Sequence, residues 1–215
     1  MAFEVYDDYE QGERVRQWLR QNGLSIIVGV GIGLVCIFAW QQWRSHQDSR
    51  QLEAAELYQR AQQALAAGRE AEADPFIERL QKDHADNGYA PFAVSQRAVR
   101  QLQAGHADQA MASLQWAEDH FKDPALKHLT ALRMAQVELA DGKAADALAR
   151  IDAVGAEFPG LAQELRGDAL SRLKRPDEAR QAYQAAMAAL DEQAPQRNVL
   201  QMKIDDLATA GKQGA

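Results

Sequence analysis

Gly142-Lys143-Ala144-Ala145-Asp146-Ala147 has three altered copies elsewhere in this chain. They are Gly68-Arg69-Glu70-Ala71-Glu72-Ala73, Gly105-His106-Ala107-Asp108-Gln109-Ala110 and Lys174-Arg175-Pro176-Asp177-Glu178-Ala179. The last residues of the four stand 37, 37 and 32 positions apart, a period that belongs to stacked structural repeats. Twelve residues upstream of each last residue is another small one: Ala61, Ala98, Ala135 and Gly167. Four residues downstream comes a large apolar one, Ile77, Leu114, Ile151 or Tyr183; three further on are Leu80, Ala117, Val154 and Ala186. Alanine is abundant here, so one such column would mean little. Four columns in a single register, each beside a turn, define a repeat.

The columns have a physical reading. Two antiparallel helices close to short distance only where facing positions are small, so Ala61 pairs with Ala73, Ala98 with Ala110, Ala135 with Ala147 and Gly167 with Ala179. The larger residue one turn later wedges against the neighbouring hairpin. Gly68, Gly105 and Gly142 stand where the first helix must end and the backbone turns left-handed, a conformation costly for residues with a Cβ. In the fourth copy Pro176 fits the first turn of the second helix, where its missing N–H is harmless. Ala110 should not tolerate bulk, whereas Ala107, in the turn before it, should. Apolar periodicity agrees: Leu57, Ala61, Ala64 and Leu65 share a face, as do Leu132, Ala135 and Leu139. A last helix, roughly Gln196 to Ala210, carries Leu200, Ile204 and Leu207 on one stripe and would cap the open end of the stack. The spacing resembles the tetratricopeptide repeat, though its Trp and Tyr positions are missing. Pro159 alone falls at the proline position expected between units; Pro91, Pro124 and Pro195 lie off it.

Upstream of the array the character changes. Leu24 to Trp40 reads LSIIVGVGIGLVCIFAW, seventeen residues without a charge, inside an uncharged stretch from Gln21 to Trp43. As a helix it covers roughly 26 Å, close to the ~30 Å hydrocarbon thickness of a bilayer. Leu24, Ile26, Ile27, Val28, Leu34, Phe38 and Trp40 are the anchoring side chains, with Trp40 and Trp43 at one interface and Trp18 at the other. Nothing else in the chain is apolar enough to surround a core helix of this kind. Ala39-Trp40-Gln41-Gln42-Trp43 lacks the small-x-small pattern of a signal cleavage site. Val35 before Cys36, and Ile37-Phe38 after it, do not fit a lipoprotein signal. The span therefore reads as an uncleaved anchor, with Cys36 a small hydrophobe within it. Arg14, Arg16 and Arg20 precede it; Arg44 and Arg50 follow. That asymmetry favours the N-terminus inside. Gly29 and Gly33 form a small-xxx-small pair, with Gly31 between, which would let another helix approach; glycine is also simply common in membrane helices. No Pro or Gly interrupts Ser45 to Ala67, so the membrane helix is expected to run on into the first repeat helix, holding the array close to the bilayer.

The 215 residues carry a formal charge of −7. Three arginines against five acids in residues 1–43 leave about −5 for the rest, which argues against nucleic acid and against an anionic lipid surface as the repeat domain's partner. One cysteine excludes an internal disulfide. Ala, Gln, Leu, Glu and Arg dominate after residue 43, a helical composition. The architecture expected is all-α: a tail over 1–22, a transmembrane anchor over 23–43, a TPR-like hairpin solenoid over 44–210 with its C-terminal capping helix, and a disordered tail over 211–215.

The short acidic N-terminus, the Gly-rich span ending in aromatic-Gln-x-Trp, and Trp43-Arg44-Ser45-His46-Gln47 resemble the YfgM-like family, the ancillary SecYEG translocon subunits of Gram-negative bacteria. So do Leu165-Arg166-Gly167-Asp168-Ala169-Leu170, Ala179-Arg180-Gln181-Ala182-Tyr183 and Gln201-Met202-Lys203-Ile204-Asp205-Asp206-Leu207. The resemblance covers nearly the whole chain and keeps the order of its parts. It implies a single-pass inner-membrane protein with a cytoplasmic N-terminus and a periplasmic repeat domain. Further implications are association with SecYEG and with a membrane-anchored, prolyl-isomerase-like periplasmic chaperone, and a part in handing exported proteins onward. A link of the cytoplasmic end to envelope-stress signalling is a secondary family trait, and Val15, Trp18 and Leu19 would be the apolar face of such a regulator; interface anchoring explains the same face. No catalytic residue is carried over.

The residues themselves point to no enzyme. His46, His84, His106, His120 and His128 show no i, i+4 pairing and no cysteine neighbours, so neither a metal nor another cofactor is expected. There is no phosphate-binding glycine loop and no G-x-S-x-G pattern, so no small-molecule substrate is indicated. Solenoids bind extended segments along their first helices, and Arg97, Arg100, Arg133 and Arg166 could meet acidic or C-terminal groups there; surface solvation explains them equally well. No pattern in the sequence assigns the protein-binding residues.

Overall fold

A computed structural model describes the backbone of residues 4–213 and the side chains of residues 12–208. Nine helices make up the described regular structure: α1 (Glu4–Ala66), α2 (Glu70–Asp83), α3 (Tyr89–Gln103), α4 (Ala107–His120), α5 (Pro124–Ala140), α6 (Ala144–Val154), α7 (Pro159–Arg172), α8 (Pro176–Ala188) and α9 (Gln196–Gln213). Contacts divide the chain into two units, Met1–Glu53 and Ala54–Ala215. The first is the N-terminal part of α1, and the second holds the hairpins. α1 passes residues 45–66 without a break. Of the tail expected over 211–215, residues 211–213 are helical backbone and the remainder lies outside the described residues.

The second unit is an all-α solenoid of four hairpins, formed by the end of α1 with α2, α3 with α4, α5 with α6, and α7 with α8. The turns share one backbone solution. Gly68, Gly105 and Gly142 have φ of 69°, 82° and 79°. The N–H of Gly142 donates to the Leu139 carbonyl (3.1 Å) and that of Lys143 to Glu138 (2.8 Å). The same pair of bonds recurs from Gly68 and Arg69 to Leu65 and Ala64, and from Gly105 and His106 to Leu102 and Gln101. This is the Schellman closure, which satisfies carbonyls that the helix end leaves without donors. The fourth turn makes it with Lys174 at φ 58°, bonded to Ser171, and Arg175 bonded to Leu170.

Each hairpin buries its small residues. Ala61, Ala73, Ala98, Ala110, Ala135, Ala147, Gly167 and Ala179 are all buried, as are Ile77, Leu114, Ile151 and Tyr183 behind them. Four apolar clusters follow, each built from one hairpin and elements of the next. The first joins Leu57, Ala61 and Leu65 to Ile77 and Leu80 of α2 and Val94 of α3. The second joins Ala98, Ala110 and Leu114 to Met134 and Val137 of α5. The third joins Leu132, Ala135, Ala147 and Ile151 to Ala162 and Leu165 of α7. In the fourth, Leu200 and Leu207 of α9 pack on Leu170, Ala179 and Tyr183, so the last helix closes the stack.

Two local points differ from the expectations. Ala107 is half-buried against the second cluster, as are Leu102 and Met111, because it is the first residue of α4 and not part of the turn, one helical turn before Ala110 and Met111 on the same face; an exposed control position is Ala112. Pro124 opens α5 as Pro159 opens α7, so two hairpins begin on proline. Pro75 lies within α2, where its ring nitrogen cannot donate to the carbonyl four residues back.

Candidate functional site

The first unit presents the candidate membrane span. Leu24, Ile26, Ile27, Val28, Leu34, Phe38 and Trp40 are all exposed on α1, and the most apolar stretch of that helix is wholly unburied. An aqueous face of this composition would be strongly unfavourable, at about 25 cal/mol for each Å² of apolar surface. It is long and apolar enough to cross a membrane. Trp40 and Trp43 approach to 5.5 Å between ring centres at one end of the stretch. A Cβ added at Gly29, Gly31 or Gly33 would meet nothing within 4 Å, so the surface along these glycines is open. Cys36 is exposed on the same helix, and so are Val15, Trp18 and Leu19 toward its start.

In the second unit the four arginines are held differently. Arg97 donates to Gln81 Oε1 at 2.8 Å; burial lowers its pKa, against the opposing pull of Asp74 and Glu78. Arg100 reaches the Leu65 carbonyl of the preceding hairpin at 3.5 Å. Arg166 is paired with Asp152 at 2.7 Å. Arg133 has no hydrogen-bond or ion-pair partner among the described residues, and burial lowers its pKa as well. Sequence alone could not separate these roles, because each depends on a partner on another helix.

Two polar clusters were not singled out from the sequence. Glu138 is buried on α5 and takes a forked interaction from Arg150 of α6, with Nη2 2.6 Å from Oε1 and Nε 3.1 Å from Oε2. That bond holds the Arg150 pKa above its ordinary value, against the opposing effect of burial. At the capping end, Lys203 Nζ of α9 lies 2.8 Å from Asp168 and 2.9 Å from Glu164, both on α7. The Tyr183 hydroxyl donates to the same Asp168 at 2.8 Å. Burial lowers the Lys203 pKa, but its bonds to Asp168 and Glu164 outweigh that and raise it overall. Burial and the Asp168 carboxylate both push the Tyr183 phenol upward. These clusters brace helices against one another. The signal for the second was the Gln201–Leu207 segment, where Lys203 stands among the apolar positions of the capping stripe.

The histidines are dispersed. His46 and His106 are exposed, His84 is buried at the end of α2, His120 stacks on Trp116, and His128 lies 2.9 Å from Glu157. Among the described residues no three of His, Cys, Asp or Glu gather as a metal-ligand set.

The profile of the tetratricopeptide repeat-like domain family matches residues 16–209. The chain belongs to that family. It is 28% identical over 207 residues to an ancillary SecYEG translocon subunit of Escherichia coli K12, an alignment covering 95% of this chain and 99% of the relative. A Neisseria gonorrhoeae protein of the same description is 27% identical, with 89% of each chain covered. Among solved structures, residues 41 to the end of MamA from Desulfovibrio magneticus RS-1 superpose with a TM-score of 0.56 at 19% identity, over 74% of this chain and 90% of that one. A double mutant of MamA RS-1 gives 0.54 at 16% identity, over 74% and 96%. These two likenesses are of fold. The alignment with the Escherichia coli relative extends over both the apolar stretch and the repeat array of this chain.

Proposed function

We propose that this protein is a single-pass scaffold of the bacterial inner membrane that works beside the SecYEG translocon. Residues 1–22 are its cytoplasmic tail, 23–43 its anchor, and 44–210 its periplasmic repeat domain. The domain links exported proteins to a membrane-anchored, prolyl-isomerase-like chaperone, and it does so by binding, without catalysis. The observation that carries the reading is α1 itself. One uninterrupted helix bears both an unburied membrane-length apolar face and the small-residue face of the first repeat hairpin. Full-length relatives described as ancillary SecYEG translocon subunits support the choice of partner.

The experiment is affinity capture of the tagged full chain from membranes in mild detergent. SecYEG and the chaperone are expected in the eluate, each in excess over an unrelated single-span protein carried through the same procedure. Equal recovery with that control would refute the proposal. Deleting residues 2–13 tests whether the cytoplasmic tail is the working end instead: capture should survive the deletion.

A further inference from the structure

On α1, reading toward the apolar stretch, Arg16, Arg20, Gly23 and Ile27 follow one another at positions i, i+4, i+7 and i+11, and so form one stripe along the helix. Leu34 continues it, eighteen residues from Arg16 and about five whole turns on. Arg16, Arg20, Ile27 and Leu34 are all exposed. Neither arginine has a hydrogen-bond or ion-pair partner among the described residues. A Cβ added at Gly23 would meet nothing within 4 Å, so the stripe has a gap one turn beyond Arg20.

The chemistry of the stripe changes where that of a bilayer does. At 1.5 Å per residue, Arg20 stands about 6 Å before Leu24 and Arg16 about 12 Å. A headgroup layer is roughly 5–8 Å deep on each side of the hydrocarbon, so Arg20 lies within it and Arg16 reaches back from its outer edge. Ile27 and Leu34 fall at hydrocarbon depth. The two arginines also line a surface depression of about 820 Å³ with Glu13, Gln17 and Leu19, ample for a polar headgroup. Glu13 is the acid of this lining and stands a turn further from the span, so two positive charges face it alone. The other end of the span is built differently. Arg44 has Asp48 one turn on, and Trp40 and Trp43 occupy the interface.

We propose that this stripe is a binding site for one anionic phospholipid of the leaflet that surrounds Arg20. The lipid phosphate takes the guanidinium groups of Arg16 and Arg20, its glycerol backbone lies over Gly23, and an acyl chain runs along Ile27 and Leu34. The site deepens the reading of residues 23–43 as a membrane anchor and rests on it. A guanidinium offers a phosphate two parallel charge-assisted bonds, a geometry that Lys cannot match. In a zwitterionic lipid the headgroup's own cation competes for that phosphate. In phosphatidylglycerol the headgroup is neutral beyond the phosphate, so the arginines meet no rival. Each juxtamembrane arginine adds roughly fivefold to binding at an anionic surface. Glycine at position 23 lets the lipid backbone approach the helix, where a larger side chain would hold it away.

The test is native mass spectrometry of the full chain, released from mild-detergent micelles that hold equal amounts of phosphatidylglycerol and phosphatidylcholine. Phosphatidylglycerol should be retained at least about tenfold in preference. Arg16→Gln combined with Arg20→Gln should bring the two lipids to parity while circular dichroism is unchanged. Gly23→Leu, which alters no charge, should lower the retention of phosphatidylglycerol. Arg44→Gln, at the other end of the span, should leave the preference as it is. Equal retention of the two lipids by the wild-type chain overturns the proposal, as does an undiminished preference in the double variant. An Arg44→Gln chain that loses the preference as fully would mean general attraction of charge and no site. Unchanged retention in Gly23→Leu would remove the glycerol seat, and displacement of the lipid by inorganic phosphate would make this an anion site and not a lipid one. Release of the full chain from membranes by alkaline carbonate is a separate result, and it counts against the anchor itself.

Discussion

Gly167 shows how little slack the repeat allows. A Cβ placed there would lie 2.3 Å from the Tyr183 ring, well inside contact distance. In the other hairpins the corresponding pairs are Ala61 with Ile77, Ala98 with Leu114 and Ala135 with Ile151, so the larger wedge of the fourth hairpin is matched by the smaller partner. Gly167→Ala should cost about 1–3 kcal/mol, the range for overpacking. Combined with Tyr183→Leu, the loss should be smaller than the sum of the two single changes; a strictly additive result in thermal unfolding would refute the size-matching argument. Lys174 makes the opposite case. It holds the left-handed turn that Gly68, Gly105 and Gly142 hold elsewhere, at a penalty of about 1 kcal/mol for a residue with a Cβ. Lys174→Gly should therefore raise the melting temperature and Gly142→Ala lower it. Space is not the issue at Gly142, since an added Cβ would meet nothing within 4 Å; only the backbone angle is.

At the scale of elements, the hairpin register and the capping helix each give a test. Ala110 is completely buried where α3 and α4 close, and Ala112 is exposed two residues on. Ala110→Leu should destabilise by about 1–3 kcal/mol, and Ala112→Leu should be nearly silent. Equal melting points would mean that the close contact lies elsewhere. The seat of α9 titrates. Lys203 and Tyr183 both hold their protons more firmly in the fold than in an unfolded chain. Their contribution is thus complete at neutral pH, begins to fall as pH passes the unfolded values, near pH 10, where the unfolded chain sheds protons first, and is lost as pH rises through the higher folded ones. Stability should fall above about pH 10, and Tyr183→Phe should make that fall shallower by up to about 1.4 kcal/mol per pH unit. An unchanged slope would show that the phenol is not held at Asp168.

The hairpins were legible in the sequence because their determinants are local. A left-handed cap, a small residue a fixed distance away and a wedge four residues later repeat within a few turns of chain. Ala107 escaped that logic because its burial depends on where α4 begins: as the first helical residue it joins the face of Ala110 and Met111. Lys174 showed no glycine to announce its φ. The arginines were equivalent on paper for the same reason: Arg100 finds a carbonyl 35 residues away, Arg166 finds Asp152, and Arg133 finds no partner among the described residues. Pairwise encounters between distant helices set those roles, and no periodicity records them.

Sidedness and tethering belong to the whole molecule. Three arginines before the span against two after give only a small bias to orientation. In a Cys36→Ser background, a cysteine at exposed Gln109 should react with a membrane-impermeant thiol reagent once the outer membrane is permeabilised and the inner membrane left intact. Labelling only after lysis would reverse the topology and remove the periplasmic role. The anchor's contribution to function is a matter of effective concentration. Weak contacts between a repeat domain and a channel become frequent when both are confined to one membrane, and negligible when the domain diffuses freely. Residues 54–215 contain every apolar cluster described above, so the fragment 44–215 exported without its anchor should keep its helical signal and its melting transition. It should nonetheless lose most of its capture of SecYEG. Replacing Leu24–Trp40 by an unrelated span then separates two causes. Restored capture would leave the open surface along Gly29, Gly31 and Gly33 without a role, whereas persistent loss would assign it a helix contact in the membrane. If the soluble fragment captures the channel at the level of the full chain, tethering is not the cause, and the hairpin surfaces must carry the affinity by themselves.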